Sequence, residues 1–179
     1  RLRFKGRDLI FGIMLMTMMI PGEMLIITNF INVSRWGWIN SYVVLILPFT
    51  ASVFYTYFMR QAFKQIPDEL YYAAKVDGVS DFKYLTRVML PMAKATVTTV
   101  TILGMMGAWN AFIWPNLVTR ADNMRLVTNG IMEAFKSETV TLINLQMAAT
   151  MMVTLPILIA FLVFKKYIMR GVSRSGIKG

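Results

Sequence analysis

Three stretches of the chain carry no charged side chain: Ser41 through Met59, Ala95 through Thr119 and Thr139 through Phe164. A helix needs about 20 residues to cross roughly 30 Å of hydrocarbon, and each stretch approaches or exceeds that length. A fourth apolar run, Leu9 through Ile31, is interrupted by Pro21-Gly22-Glu23. Buried core helices of a soluble protein can mimic one such run, but not three in one short chain. The pattern therefore predicts an all-α fold, a polytopic transmembrane helical bundle with four spans, resting in a lipid bilayer.

Composition supports this and adds a sidedness. Of 179 residues, 56% are hydrophobic and only 16% charged; soluble domains average about 45–50% and about 25%. The net charge is nevertheless +10. Arg1, Arg3, Lys5 and Arg7 precede the first run. Arg60, Lys64, Lys75, Lys83, Arg87 and Lys94 fall between the second and third, and Lys165, Lys166, Arg170, Arg174 and Lys178 follow the last. The remaining cations, Arg35, Arg120, Arg125 and Lys136, fall on the opposite side. Fifteen of the 19 cations thus share one face, which the positive-inside rule places in the cytoplasm together with both ends of the sequence. All four tryptophans lie toward the outer half, with Trp36, Trp38 and Trp114 placed as interfacial anchors. Topology accounts for the basic excess. A nucleic-acid partner would need a clustered basic face interleaved with aromatics, and none occurs.

Cysteine and histidine are both absent, which removes disulfides, thiolate or imidazole metal sites, and the commonest general base. No G-x-x-x-x-G-K-[ST] phosphate loop occurs, so any ATP hydrolysis is expected on another chain, and the protein is not expected to be an enzyme. No cofactor or metal is expected. A cationic start leading into an apolar run invites a signal-peptide reading of Arg1–Ile20. No small-x-small cleavage site follows, and Pro21-Gly22-Glu23 leads into more apolar sequence, which favours a span.

The densest local signals lie between the second and third runs, in residues 65–80. Pro67 suits a first helical position, and Asp68 and Glu69 fit a first turn. Gly78 suits a helix stop with positive φ, and Ser80 suits the cap of a second short helix through Leu85. Leu90-Pro91 marks the entry to the next span. A short amphipathic helix is thus predicted in the cytoplasm, where Ala73 and Ala74 leave a low-profile patch. By physics alone it is either a docking helix for another protein or an interfacial helix on lipid headgroups.

The run Ile66-Pro67-x-x-Leu70-x-x-Ala73-Ala74-x-x-Asp77-Gly78, followed by Leu90-Pro91, resembles the EAA loop of ABC importer permease subunits, closest to the carbohydrate-uptake, maltose-permease-like branch. Met19-Ile20-Pro21, Trp109-Asn110-x-Phe112-x-Trp114-Pro115 and the closing Gly176-Ile177-Lys178-Gly179 fit the same branch in the same order. The resemblance implies one permease domain over residues 1–179 in a bacterial or archaeal inner membrane, and a loop helix that inserts into a cleft on an ATPase subunit. Ala73 and Ala74 would pack in that cleft, Asp77 and Gly78 would form the turn, and Pro67 and Leu70 would complete the motif. The implied partners are a second homologous permease subunit, two cytoplasmic ATP-binding subunits and an extracytoplasmic solute-binding protein. Six spans are usual in the family, so two are expected to precede Arg1. Tyr72 departs from the pattern, which has Glu there; Tyr supplies no charge, so docking would rest on steric fit.

Among polar groups in or near the runs, Glu23, Asn110, Asn116, Asn144 and Gln146, an ionisable residue is a functional candidate by default. Glu23 either lines a solute pathway or belongs to a helix break near the interface. Trp109 beside Asn110 suits a sugar, whose C–H face stacks on an indole while its hydroxyls bond the amide. The pair fits equally an interhelical hydrogen bond beside a packed ring. The methionine clusters Met14, Met16, Met18, Met19 and Met151, Met152 suit adaptable packing between moving helices more than a metal path. The expected function is import of a sugar or oligosaccharide by alternating access. The alternatives are the same machinery with an amino acid, polyamine or oxyanion as cargo, or an intramembrane enzyme, which would need more than the single ionisable Glu23. An oxyanion should attract a pocket cation, and none sits mid-span.

Overall fold

The computed structural model describes residues 4–135 and 143–176. Arg1, Arg3, Lys136, residues 139–142 and the closing Ile177-Lys178-Gly179 lie outside the described residues. Within them every regular element is helical.

Proline and serine set where the apolar runs break. The first run gives α1 (Arg7–Thr17) and α2 (Ile26–Arg35), separated at Pro21 by a single 3-10 turn over Gly22–Leu25. The second gives α3 (Tyr42–Ile46) and α4 (Val53–Lys64). Each starts at a serine whose hydroxyl accepts from the backbone three residues on, Ser41 from Val44 and Ser52 from Tyr55, as helix caps do. Pro48 ends α3 because it offers no N–H to continue the ladder.

The loop gives α5 (Asp68–Val76) and α6 (Asp81–Tyr84), then a wide π turn over Leu85–Met89 and a final turn α7 (Leu90–Met92). The wide turn sits just ahead of Pro91, whose ring and missing N–H disrupt a regular ladder. After it come α8 (Lys94–Trp109), α9 (Ile113–Val118), α10 (Val127–Ala134) and α11 (Ile143–Gly176).

One helical segment, the 24 residues Ile143–Lys166, is long and apolar enough to cross a membrane by itself, about 36 Å at the α-helical rise. Three further pairs qualify when each is taken across its short break: α1 with Gly22–Arg35, Tyr42–Phe49 with α4, and Asp81–Met92 with α8. In the last pair the two limbs meet at 82°. The apolar limb is α8, since Asp81, Lys83 and Arg87 keep the other at the aqueous end. The charge-free run Ala95–Thr119 is therefore not one helix. It stops at Trp109, passes through an irregular segment at Asn110–Phe112, and resumes as α9.

Little of this apolar surface is covered by the chain itself. No residue in the apolar window of Ile143–Lys166 is buried, and Met19, Met24, Met151 and Met152 are each more than 70% exposed. Full burial of one such side chain is worth about 1.5–3 kcal/mol, so this surface belongs against lipid or protein rather than water.

The chain divides into two compact units. The first gathers residues up to Ile20, Ser52–Leu103 and the end of α11 from Lys165; the second holds Pro21–Ala51 and Gly104–Phe164. In the first, Ile66, Tyr84 and Met89 form the core, with Phe63, Tyr71 and Ala74 against it. In the second, Val33, Val44 and Val118 do so, with Phe30, Trp38 and Trp114 against them.

Backbone satisfaction organises the second core. Pro48 cannot donate to the carbonyl of Val44, four residues earlier, and Val44 is fully buried. The indole Nε1 of Trp114 donates to that carbonyl instead, at 3.0 Å. Asn40 works similarly: at φ 58° its Oδ1 accepts from the backbone N–H of Arg120 and Ala121 at 3.0 and 2.9 Å. Trp114 is thus half-buried against a core with its N–H engaged, whereas Trp36 is 61% exposed.

Candidate functional site

In the first unit the loop helix is defined at both ends by local chemistry. Pro67 sits one position before α5, at the cap, with φ −57° and ψ 143°, and Asp68 and Glu69 fill the first turn. At the other end Gly78 adopts φ 69°. Its N–H reaches the Lys75 carbonyl at 3.1 Å, and the Val79 N–H reaches the Ala74 carbonyl at 2.9 Å. These are the two bonds of a Schellman stop, with Val79 and Ala74 supplying its hydrophobic contact. A Cβ built on Gly78 would meet nothing within 4 Å, so the demand for glycine comes from the backbone angle alone.

The turn is pinned from outside as well. The Oδ1 of Asp81 receives the Lys75 ammonium at 2.7 Å and the Tyr71 hydroxyl at 3.0 Å, while Lys75 also lies 5.4 Å from the Tyr71 ring centre. The Lys75 contact, followed by that of Tyr71, holds the Asp81 carboxyl below the usual carboxylate range; Asp81 in turn raises Lys75. Tyr71 packs edge-on against buried Tyr84, with ring centres 5.2 Å apart.

These contacts sort the candidate residues into two faces. Ala74 turns inward to Ile66 and Tyr84. Leu70, Ala73 and Val76, three residues apart, stay exposed, Val76 to 88%. Tyr72 is exposed beside them. Asp77 closes α5 with its N–H on the Ala73 carbonyl at 3.0 Å. Ala73 and Ala74 thus do not share one surface; the outward apolar stripe is Leu70–Ala73–Val76.

In the second unit, Trp109 and Asn110 lie where α8 ends. The Met106 carbonyl accepts both the backbone N–H of Asn110, at 3.1 Å, and its side-chain amide, at 2.9 Å. That hydrogen bond closes the residue's own helix instead of joining another. The Thr128 hydroxyl donates to the Ala111 carbonyl, tying the start of α10 to the irregular segment. Around this segment lies a cavity of about 360 Å³. Trp109, Asn110 and Phe112 line one side, Thr128, Ile131 and Met132 of α10 another, and α11 closes it with Gln146, Thr150 and Thr154 among others. Glu23 is not part of it; it lies exposed on the 3-10 turn after Pro21. Asn116 and Asn144 are likewise exposed and outside the cavity.

The chain matches, over residues 1–174, the family described as binding-protein-dependent transport system inner membrane component. It belongs to that family. It is 32% identical over 176 residues to the arabinooligosaccharides transport system permease protein AraQ of Bacillus subtilis, covering 98% of this chain and 62% of the relative. It is 32% identical to the sn-glycerol-3-phosphate transport system permease protein UgpE of Pectobacterium atrosepticum, covering 97% and 62%. With the lactose transport system permease protein LacG of Rhizobium radiobacter the identity is 30%, covering 97% and 63%. The chain thus spans about six-tenths of the length of the curated relatives it matches.

Some residues of the cavity wall and of the loop surface belong to no motif. Gln146, Thr150 and Thr154 recur every four residues inside an apolar run, which is one face of a helix. That polar stripe was the available signal for the α11 wall. Thr128 carried none, because only folding brings it beside Ala111. Val76 and the exposed Tyr72 extend the loop surface beyond the motif alanines.

Proposed function

We propose that this chain is the membrane-spanning permease subunit of an ATP-driven, binding-protein-dependent importer, and that its cargo is a sugar or oligosaccharide. The observation that carries this is the loop helix: capped at both ends, pinned by Asp81, and presenting an apolar stripe of Leu70, Ala73 and Val76 to the outside. A helix built this firmly on a short loop is a mechanical element, and its uncovered stripe calls for a protein partner. That partner is a cytoplasmic ATPase subunit, one of two, with a second permease subunit beside this one and an extracytoplasmic binding protein delivering solute. The sidedness of the Lys and Arg residues supports a cytoplasmic location for the loop and for both ends of the sequence.

In this reading ATP-driven closure of the ATPases moves Pro67–Gly78, and the two permease subunits rock to expose the pathway alternately to either side. Ala73 lies on the contact surface with Leu70 and Val76. Ala74 transmits the motion inward through the Ile66–Tyr84–Met89 core, and Asp77–Gly78 forms the turn that fixes the helix. Tyr72 supplies no charge, so the contact is steric. A phosphorylated cargo is the second reading, favoured by the identity to a permease protein named for sn-glycerol 3-phosphate.

Replacing Gly78 by valine forces a β-branched residue to positive φ. Uptake by the assembled importer should fall at least tenfold while the chain still reaches the membrane in normal amount. Wild-type uptake in that variant would overturn the coupling assignment.

A further inference from the structure

Resting on the importer reading, we infer that the cavity at the break between α8 and α9 is a solute subsite built for an uncharged, hydroxyl-rich ring, and that it rejects phosphate esters. Irregular backbone at membrane depth persists only where protein buries it or where it lines a cavity, and Asn110–Phe112 is such a segment, with the 360 Å³ cavity beside it. Ligand pockets run from about 300 to 1,000 Å³, so this one holds a small solute or one part of a longer one.

The hydrogen-bond inventory of the wall specifies what enters. Thr150 spends its hydroxyl proton on the Gln146 carbonyl at 2.8 Å and Thr154 on the Thr150 carbonyl at 2.7 Å. Thr128 gives its proton to Ala111, and Asn110 commits one of its two amide N–H groups to Met106. The three threonines therefore offer a ligand oxygen lone pairs, and Asn110 offers its amide oxygen and one N–H. Gln146 adds a half-buried amide on the same face of α11 as Thr150 and Thr154. Such an uncharged wall of hydroxyls and amides, with more acceptors than donors, matches a solute whose hydroxyls both donate and accept. Trp109 supplies an indole for the C–H face of a ring.

A phosphate monoester brings acceptors and negative charge instead. No charged side chain lines the cavity. Arg125, just before α10, is engaged by Asp122 at 3.0 Å and Glu133 at 3.5 Å. A phosphate would enter without a cation to balance its charge, with only the amide N–H groups of Gln146 and Asn110 to donate to it.

The chain's lack of cysteine makes the test direct. Thr150→Cys, introduced into the importer assembled with partner subunits freed of reactive cysteine, is labelled with a maleimide in membranes. Labelling is repeated with lactose, maltose, an arabinose trisaccharide or sn-glycerol 3-phosphate present. At least one neutral sugar should slow labelling threefold or more, and glycerol 3-phosphate should not. In transport, Gln146→Leu should raise KM for that sugar about tenfold with little change in kcat. Protection by glycerol 3-phosphate alone, or by none of the four, overturns the subsite. Sugar uptake with unchanged KM in Gln146→Leu also overturns it, yet leaves the importer reading intact. Loss of ATP-dependent uptake of every solute by the wild-type assembly removes the importer reading itself.

Discussion

The two units of this chain are held together by different means. In the loop unit the decisive contacts are short in sequence: Gly78 to Lys75, Val79 to Ala74, and Asp81 to Lys75 and Tyr71. Most of them face water. In the second unit the decisive contacts join residues far apart, Trp114 to Val44 and Asn40 to Arg120, and serve backbone groups left without helical partners. The loop helix has both ends fixed and an exposed outer face, as the proposed coupling role requires. The second unit contains several helix breaks, some completed by a side chain from elsewhere, and its cavity lies at one of them. A coupling element needs stiffness over a few residues; a solute pathway needs gaps in helices whose backbone is still satisfied.

The sharpest way to break this contrast is at Gly78. Valine there should abolish coupled transport, and alanine, at a cost of about 1–2 kcal/mol for the left-handed conformation, should weaken it measurably. Solute protection of Thr150→Cys should survive both, because no residue of that turn lines the cavity. If the glycine variants also lose protection, the two units do not act separately.

Next in size is Trp114→Phe. Leaving the buried Val44 carbonyl without a donor should destabilise the chain by about 1–3 kcal/mol, read as a lower melting temperature in detergent. Pro48→Ala returns a backbone N–H to that carbonyl, so the tryptophan substitution should cost less in the alanine background. An equal loss in both backgrounds would show that the indole contributes packing alone.

The smallest effect belongs to Asp81. Its folded carboxyl titrates below the unfolded value, so its contribution is present above the ordinary carboxylate pKa, about 3.9. It fades as pH falls through the depressed folded value. Asp81→Asn should lower loop stability slightly at pH 7, the loss being small because both partners are 40% or more exposed, and should leave stability in acid unchanged, so that the acid dependence flattens. An unaltered acid unfolding profile would show that Lys75 and Tyr71 pin nothing.

What the sequence by itself determined is local or collective. The all-helical membrane class followed from charge-free runs, which measure hydrocarbon thickness. The loop helix, its acidic first turn, its glycine stop and the Ser80 cap were legible because each rests on residues within one or two turns, and the structure moves Pro67 by only one position. Family membership was legible through the ordered motif. Tertiary structure alone decided that Ala74 faces the core and Ala73 the outside, because a helix separates neighbours by about 100° and only packing against Ile66 and Tyr84 says which side is inner. It alone gave the Trp114 N–H its acceptor, because the orphaned Val44 carbonyl is 70 residues away. It also divided the run Ala95–Thr119 and set Trp109 and Asn110 opposite the Gln146–Thr150–Thr154 stripe. Periodicity marks each wall of a cavity, but only long-range folding brings the walls together.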